Sequence, residues 1–99
     1  MIVVPLSQVP SQTLAITLNG QPCRVSLRTN NGNMYFDLKI GTDPIVTSKI
    51  CRNKQRLLLG VKYRGFIGDF MFVDTRGDSQ PEYTGLNDRW LLYYLGANE

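Results

Sequence analysis

Apolar and polar residues alternate with a period of two along three stretches in the first half of the chain. Residues 13–19, 22–29 and 34–40 each place apolar side chains at every second position. A strand with one buried face produces this pattern, because successive side chains point to opposite sides of a sheet. The first two stretches are separated by Asn19-Gly20, a dipeptide that favours a type I′ turn because both central residues need positive φ. The pattern therefore predicts antiparallel strands, the first two of them joined as a hairpin.

Shorter segments extend the same pattern. Residues 2–4 and 45–47 predict short strands, and residues 30–33 and 41–44 are rich in turn-forming Asn, Gly, Asp and Pro. Residues 49–59 are compatible with a helical turn or a strand, and the closely spaced strand signals on both sides favour a strand. Strands at short, regular spacing predict one all-β domain over residues 1–99. We expect a small β-barrel or sandwich of about six to eight mostly antiparallel strands.

Two apolar runs in the last third of the chain do not alternate. Residues 65–74 and 89–95 are rich in bulky and aromatic side chains on both faces of the predicted strands; for example, Phe70 and Phe72 oppose Met71. A half-exposed strand is apolar on one face only, so the second face is covered either by the chain's own loops or by a partner. In a chain this small, the interpretation that we favour is a protein interface.

A polar loop, residues 75–88, connects these two runs. It has no evident core to join, yet it contains Tyr83 and Leu86. Aromatic and large apolar residues concentrate in the desolvated centres of protein interfaces. The candidate interface residues are Phe70, Phe72, Tyr83, Leu86, Trp90, Tyr93 and Tyr94.

Composition places the chain among ordinary globular domains. Hydrophobic residues make up 42% of the 99 residues, and no apolar run approaches the roughly 20 residues of a membrane helix. Residues 1–6 lack the features of a signal peptide, so we expect folding in a cytosol, without membrane contact. Cys23 and Cys51 are then expected to be buried free thiols. Two cysteines and no histidine are too few for a zinc site, and we expect no metal or other cofactor.

The net charge of +3 is unevenly distributed. Residues 49–64 carry six basic and no acidic side chains, whereas residues 65–99 carry two basic and six acidic ones. The candidate basic patch comprises Lys49, Arg52, Lys54, Arg56, Lys62 and Arg64. Basic residues near Tyr63 and Phe66 on a small β-barrel would suit an OB-like domain that binds single-stranded nucleic acid. That is the alternative function; a solvated face or a protein-docking patch is the commoner role of such a stretch.

The sequence offers little to an enzyme mechanism. With no histidine, the usual general base and the nucleophilic triads that depend on it are absent. Asp69 and Asp74 lie at strand ends, where Asp near Gly is typical of turns. We therefore expect a structural or interaction module.

Several segments together resemble a known family. The segments are residues 4–13, Gly20-Gln21-Pro22-Cys23-Arg24-Val25, residues 44–47, Gly65-Phe66-Ile67-Gly68-Asp69, Val73-Asp74-Thr75-Arg76-Gly77, Glu82-Tyr83-Thr84-Gly85-Leu86 and residues 89–95. In order and spacing they are similar to the small plug proteins of contractile-tailed phage baseplates, the cyanophage baseplate plug family. The resemblance extends over nearly the whole chain, and the family pattern has no enzymatic motif.

The resemblance implies a structural virion protein at the centre of the tail baseplate, assembled in the host cytoplasm. Its expected partners are the baseplate hub protein and, around the central lumen, the tail tube, spike or tape measure protein. Several copies are implied by the symmetry of the hub, and we expect about three. Contact with nucleic acid is expected only if the basic stretch meets DNA in the lumen.

Overall fold

The computed structural model of the chain describes residues 2–58 and 67–96. These residues form seven strands in two antiparallel sheets. Among them there is no α-helix, and the two sheets are not closed into a barrel. The predicted all-β fold is confirmed, and its form is a sandwich.

The strands follow the chain in order, with one short 3₁₀ helix, Tyr83–Gly85, between the last two. Their bounds are β1 Ile2–Val3, β2 Ser11–Leu18, β3 Gln21–Asn30, β4 Asn33–Ile40, β5 Asp43–Ile50, β6 Asp69–Asp74 and β7 Trp90–Leu95. One sheet has the order β2-β3-β4-β5, and the other has the order β1-β7-β6.

The four-stranded sheet is a meander of hairpins, and its first turns form as predicted. Asn19 and Gly20 have φ values of 53° and 74°, and Asn31 and Gly32 have 53° and 80°. Positive φ at both central residues is the requirement of a type I′ turn, so local chemistry fixes the register of β2 against β3 and of β3 against β4.

Strand β5, at the edge of the four-stranded sheet, is longer than the sequence predicts. Residues 41–44 were expected to turn, with a short strand at 45–47, but β5 begins at Asp43 and contains Pro44. Proline is tolerated here because β5 lies at the sheet edge, where a missing N–H costs no ladder bond. The register of β5 against β4 shifts twice along its length.

Residues 51–58 do not form the predicted regular strand. They cross beside β6 through two isolated bridges, Asn53 with Phe72 and Arg56 with Met71. One bridge is parallel and the other antiparallel, so no regular ladder develops. The remainder of the ambiguous segment, Leu59, lies outside the described residues, as do residues 65 and 66 of the predicted strand 65–74.

The hydrophobic core lies between the two sheets. Phe36 of β4 and Phe70 of β6 meet across it with ring centroids 5.2 Å apart, and both are fully buried. The predicted inward faces of β3 and β4 are confirmed, since Cys23, Val25 and Leu27 are buried with Phe36. The loop after β6 does join this core, contrary to expectation, because Leu86 is 1% exposed and belongs to the core cluster.

Candidate functional site

Most of the candidate interface residues contribute to the core of the isolated chain. The buried ones are Phe70, Phe72, Leu86, Trp90 and Tyr94. Tyr83 and Tyr93 are half-buried, and Tyr83 packs against the core whereas Tyr93 is not part of it. Of the candidates, Tyr93 is therefore the one that presents its ring on the face opposite the core.

Tyr93 belongs to a continuous apolar surface on the three-stranded sheet. Val3 pairs with Tyr93, Tyr93 pairs with Met71, and Leu91 pairs with Val73. Directly paired residues share one face of a sheet, as do residues two apart along a strand. None of these five residues belongs to the core cluster. We call Val3, Met71, Val73, Leu91 and Tyr93 the outer apolar face.

The outer apolar face is most exposed at the edge strand β1. Val3, on the edge strand β1, is 42% exposed, and the other four residues are half-buried. Apolar side chains on both faces of β6 and β7 are what the non-alternating runs predicted. Met71, Val73 and Leu91 were not among the candidate residues. The position of Leu91 two residues before Tyr93 in one strand was a signal for Leu91, whereas Met71 and Val73 follow only from the register of β6 against β7.

Backbone hydrogen bonds beyond the regular ladders fix the three-stranded sheet. On the β6 side, Lys54 N–H donates to the Phe72 carbonyl at 2.7 Å and Leu57 N–H donates to the Phe70 carbonyl at 2.9 Å. Val4 N–H donates to the Leu92 carbonyl at 2.8 Å, which extends the pairing of β1 with the central strand β7. The outer apolar face therefore lies on a sheet whose β6 edge is occupied by residues 54–57.

A buried ion pair fixes the ends of β6 and β7. Arg89 donates from Nε to Asp74 Oδ1 and from Nη2 to Oδ2, each at 2.8 Å. The backbone N–H groups of Arg76 and Ser79 also donate to this carboxylate, at 2.9 and 2.8 Å. The Asp74 side chain is 0% exposed. The Arg89 guanidinium, helped by these two backbone bonds, holds the pKa of Asp74 well below its usual range, against the opposing effect of burial.

The same loop encloses the Trp90 indole. Its Nε1–H donates to the Ser79 carbonyl at 3.1 Å, and the Arg89 guanidinium lies 4.7 Å from the ring centroid. Gly85 packs so closely on the ring that a Cβ atom there would overlap it. In the isolated chain the Trp90 indole helps to close the core beneath the loop, and its interface role stays a prediction.

The candidate basic patch is only partly described. Lys49, Arg52 and Arg56 are half-buried, and Lys54 is exposed and pairs with Asp78 at 3.2 Å. Arg56 forms a bridge with Met71 of β6. Lys62 and Arg64 lie outside the described residues. Among the described residues of the patch, Lys54 is therefore already paired with an acidic neighbour, Asp78.

The two cysteines behave as small hydrophobes. Both are free and 2% exposed, as the sequence predicts. Burial raises the pKa of Cys23, and it raises that of Cys51 to about 12. No cluster of metal-ligating side chains and no membrane-spanning helix occurs within residues 2–58 and 67–96.

Comparison with known proteins identifies the family. The model of the family described as Cyanophage baseplate Pam3 plug gp18 matches residues 1–97. No individually curated protein matches the chain. Because the match covers nearly the entire sequence, the chain belongs to this cyanophage baseplate plug family and is a structural component of the virion tail baseplate.

Proposed function

We propose that the chain is a non-enzymatic plug that closes or lines the central lumen of the baseplate by contact with the hub protein. Family membership supports a structural baseplate role. The observation that carries the contact mechanism is the outer apolar face, five apolar residues adjacent in the sheet and excluded from the core.

An apolar face that is open to water is unfavourable relative to the same face buried against a partner. Burial of apolar surface contributes roughly 25 cal/mol per Å², and contiguous exposed apolar patches on soluble proteins mark interaction sites. Tyr93 lies at the centre, between Val3 and Met71. An aromatic side chain with a polar tip at the centre of a patch is typical of an interface anchor. We assign the hub contact to this face.

Family membership supports the following assembly context for the proposed plug. The plug is built in the host cytoplasm and carried on the particle, where the tail tube, spike and tape measure proteins are its further neighbours. The copy number follows the symmetry of the hub, and about three copies per baseplate are expected. Closed rotational symmetry would present the same face of each copy to an equivalent surface of the hub.

The absence of histidine supports a function without catalysis. The carboxylates Asp69 and Asp74 serve the fold, since Asp69 accepts from the backbone N–H groups of Leu58 and Phe70 and Asp74 binds Arg89. The OB-like nucleic-acid function is not favoured, because an OB-fold is a five-stranded, partly open barrel and the described strands form two separate sheets.

The test is a site-specific crosslink in assembled baseplates. A benzoylphenylalanine at position 93 should crosslink to the hub protein on irradiation, and mass spectrometry would identify the linked peptide. The matched control is the same substitution at Tyr35, a half-buried tyrosine on the other sheet. A hub crosslink from position 35 alone, or crosslinks from position 93 only within the chain, would overturn the assignment.

A further inference from the structure

Strand β2, at one edge of the four-stranded sheet, has backbone groups that no described residue pairs with. Gly41 N–H donates to the Pro22 carbonyl and Thr29 N–H donates to the Pro10 carbonyl. These bonds show that even-numbered residues of β3 bond to β4 and odd-numbered ones bond to β2, because the ladder alternates. In β2 the backbone groups of the even-numbered residues therefore face β3. The N–H and C=O groups of Ser11, Thr13, Ala15 and Thr17 point out of the sheet, and no described residue pairs with them.

The two edges of this sheet differ in a way that bears on association. β5, at the far edge, contains Pro44, two register shifts and a positive φ at Ser48. These are the devices that block edge-to-edge pairing. β2 is eight residues long and pairs without a bulge along its whole length. It contains no charged residue, proline or glycine, so it lacks every one of these protections.

Arg24 lies on β3, next to the open edge strand, and its neighbour on β4 is a second cation, Lys39. Arg24 is directly opposite Lys39 on one side and Ala15 on the other. Like charges directly opposite each other are unfavourable in a sheet. Neither forms an ion pair with an acidic residue in the described part of the chain, whereas Arg28 pairs with Asp37 at 2.6 Å.

The small side chain of Ala15 leaves room between Arg24 and the open edge. A surface cavity of about 230 Å³ lies here, and its lining includes Ala15, Thr17, Pro22 and Arg24. Strands in a sheet are about 4.8 Å apart, so a strand added beside β2 would lie roughly 10 Å from β3. A carboxylate opposite Ala15 would meet the long Arg24 side chain over the alanine methyl group.

We propose that β2 accepts an extended strand of another baseplate protein, with an acidic side chain opposite Ala15. Main-chain hydrogen bonds to the open edge supply the affinity, and the Arg24–Lys39 pair supplies the selectivity for an acidic segment. A second copy of the chain fits less well, because β2 contains no acidic residue and no register of two β2 strands brings one to Arg24. The proposal rests on the proposed baseplate role, but it uses a different surface from the outer apolar face.

The test uses the isolated, ¹⁵N-labelled chain and two synthetic peptides. One is acetyl-Thr-Val-Thr-Glu-Thr-Val-Thr-amide, and the other has Lys in place of Glu. Amide shifts should concentrate in β2, and the Glu peptide should bind with a Kd about threefold to fivefold lower than the Lys peptide. Arg24→Gln should remove most of that preference. Since this assay contains no hub protein, its failure would leave the crosslink result at position 93 unaffected.

Proline variants separate edge binding from folding. Ala15→Pro deletes only an outward N–H, so it should abolish peptide binding while the spectrum of the fold persists. Leu14→Pro removes a bond to β3 and provides the reference for damage to the fold. No binding of either peptide, equal binding of both, or shifts away from β2 would overturn the proposal. Shifts of β2 that depend on protein concentration alone would overturn it in favour of self-pairing.

Discussion

Arg89 binds Asp74 through two parallel N–H···O bonds of 2.8 Å, and the Asp74 side chain is completely buried. The two residues lie at opposite ends of the loop that joins β6 to β7. The pair therefore closes a loop and fixes the register of the sheet that carries the outer apolar face. Bidentate geometry with two further backbone donors satisfies the carboxylate, which is the condition under which a buried ion pair is tolerated.

Asp74→Asn replaces one of two buried carboxylate oxygens, both of which accept hydrogen bonds, with a donating amide nitrogen. Asp74→Asn should lower the melting temperature by roughly 10 °C, measured by circular dichroism. The matched control is Asp78→Asn, which breaks the exposed pair with Lys54 and should leave the melting temperature nearly unchanged, because exposed pairs contribute little. Equal effects of the two substitutions would contradict a special role for Asp74.

The ion pair also predicts how stability depends on pH. The folded-state pKa of Asp74 is depressed by Arg89, so between that value and the unfolded value of about 3.9 the unfolded chain binds more protons. The stabilisation is therefore complete above about pH 4 and is lost as the pH falls toward the folded pKa. Urea midpoints at pH 7, 4, 3 and 2 should fall more steeply for the wild type than for Asp74→Asn. Parallel curves would show that Asp74 is not responsible.

Gly85 tests the packing of the loop on the core. A Cβ atom there would overlap the Trp90 ring, so Gly85→Ala should destabilise the domain by about 2 kcal/mol. At Gly77, in the same loop, the nearest atoms to a Cβ atom would be 3.4 and 3.6 Å away. Gly77→Ala should therefore be neutral or slightly stabilising, since alanine restricts the unfolded chain. Urea denaturation of both variants measures the difference, and similar midpoints would contradict the tight contact.

We expect the buried thiols of Cys23 and Cys51 to react slowly with thiol reagents. Because only the thiolate reacts and burial raises the pKa of Cys51 to about 12, Ellman's reagent at pH 8 should label neither cysteine in the folded chain. Both should react rapidly in 6 M guanidinium chloride, a condition chosen here as the positive control. Labelling of the native protein within minutes would show that the core opens more easily than its burial implies.

Local chemistry accounts for the parts of the fold that the sequence predicts well. Asn19-Gly20 demands positive φ, and the alternation around Val25 gives that strand one buried face, so the hairpin is encoded within a short stretch. The turn predicted at Pro44 was wrong. Proline favours turns, but it is also tolerated in an edge strand such as β5, where its missing N–H costs no ladder bond. Residues 51–58 depend on hydrogen bonds to β6, such as that from Leu57 N–H to the Phe70 carbonyl, and no local pattern reveals such a partner.

The sequence predicts the candidate site only in outline, because part of the site depends on contacts between residues far apart in the chain. Non-alternating runs indicate that both faces of β6 and β7 are apolar, but strand parity alone does not say which face meets the core. The pairing of Tyr93 with Val3 and Met71, far apart in sequence, puts the three residues on one face. Their absence from the core cluster identifies that face as the outer one. The sequence indicates a turn role for Asp74. It does not reveal the ion pair with Arg89, because the two residues are 15 positions apart.

The most direct test of the central claim compares two tyrosine substitutions in baseplates reconstituted from co-expressed tail proteins. Tyr93→Ser removes the centre of the outer apolar face, and Tyr35→Ser removes a half-buried strand tyrosine from the other sheet. Both isolated variants should remain folded by circular dichroism. Tyr93→Ser should reduce the yield of complete, plug-containing baseplates in electron micrographs by roughly tenfold or more, while Tyr35→Ser retains the wild-type yield. Normal assembly with Tyr93→Ser would contradict the assignment of the outer apolar face as the hub contact.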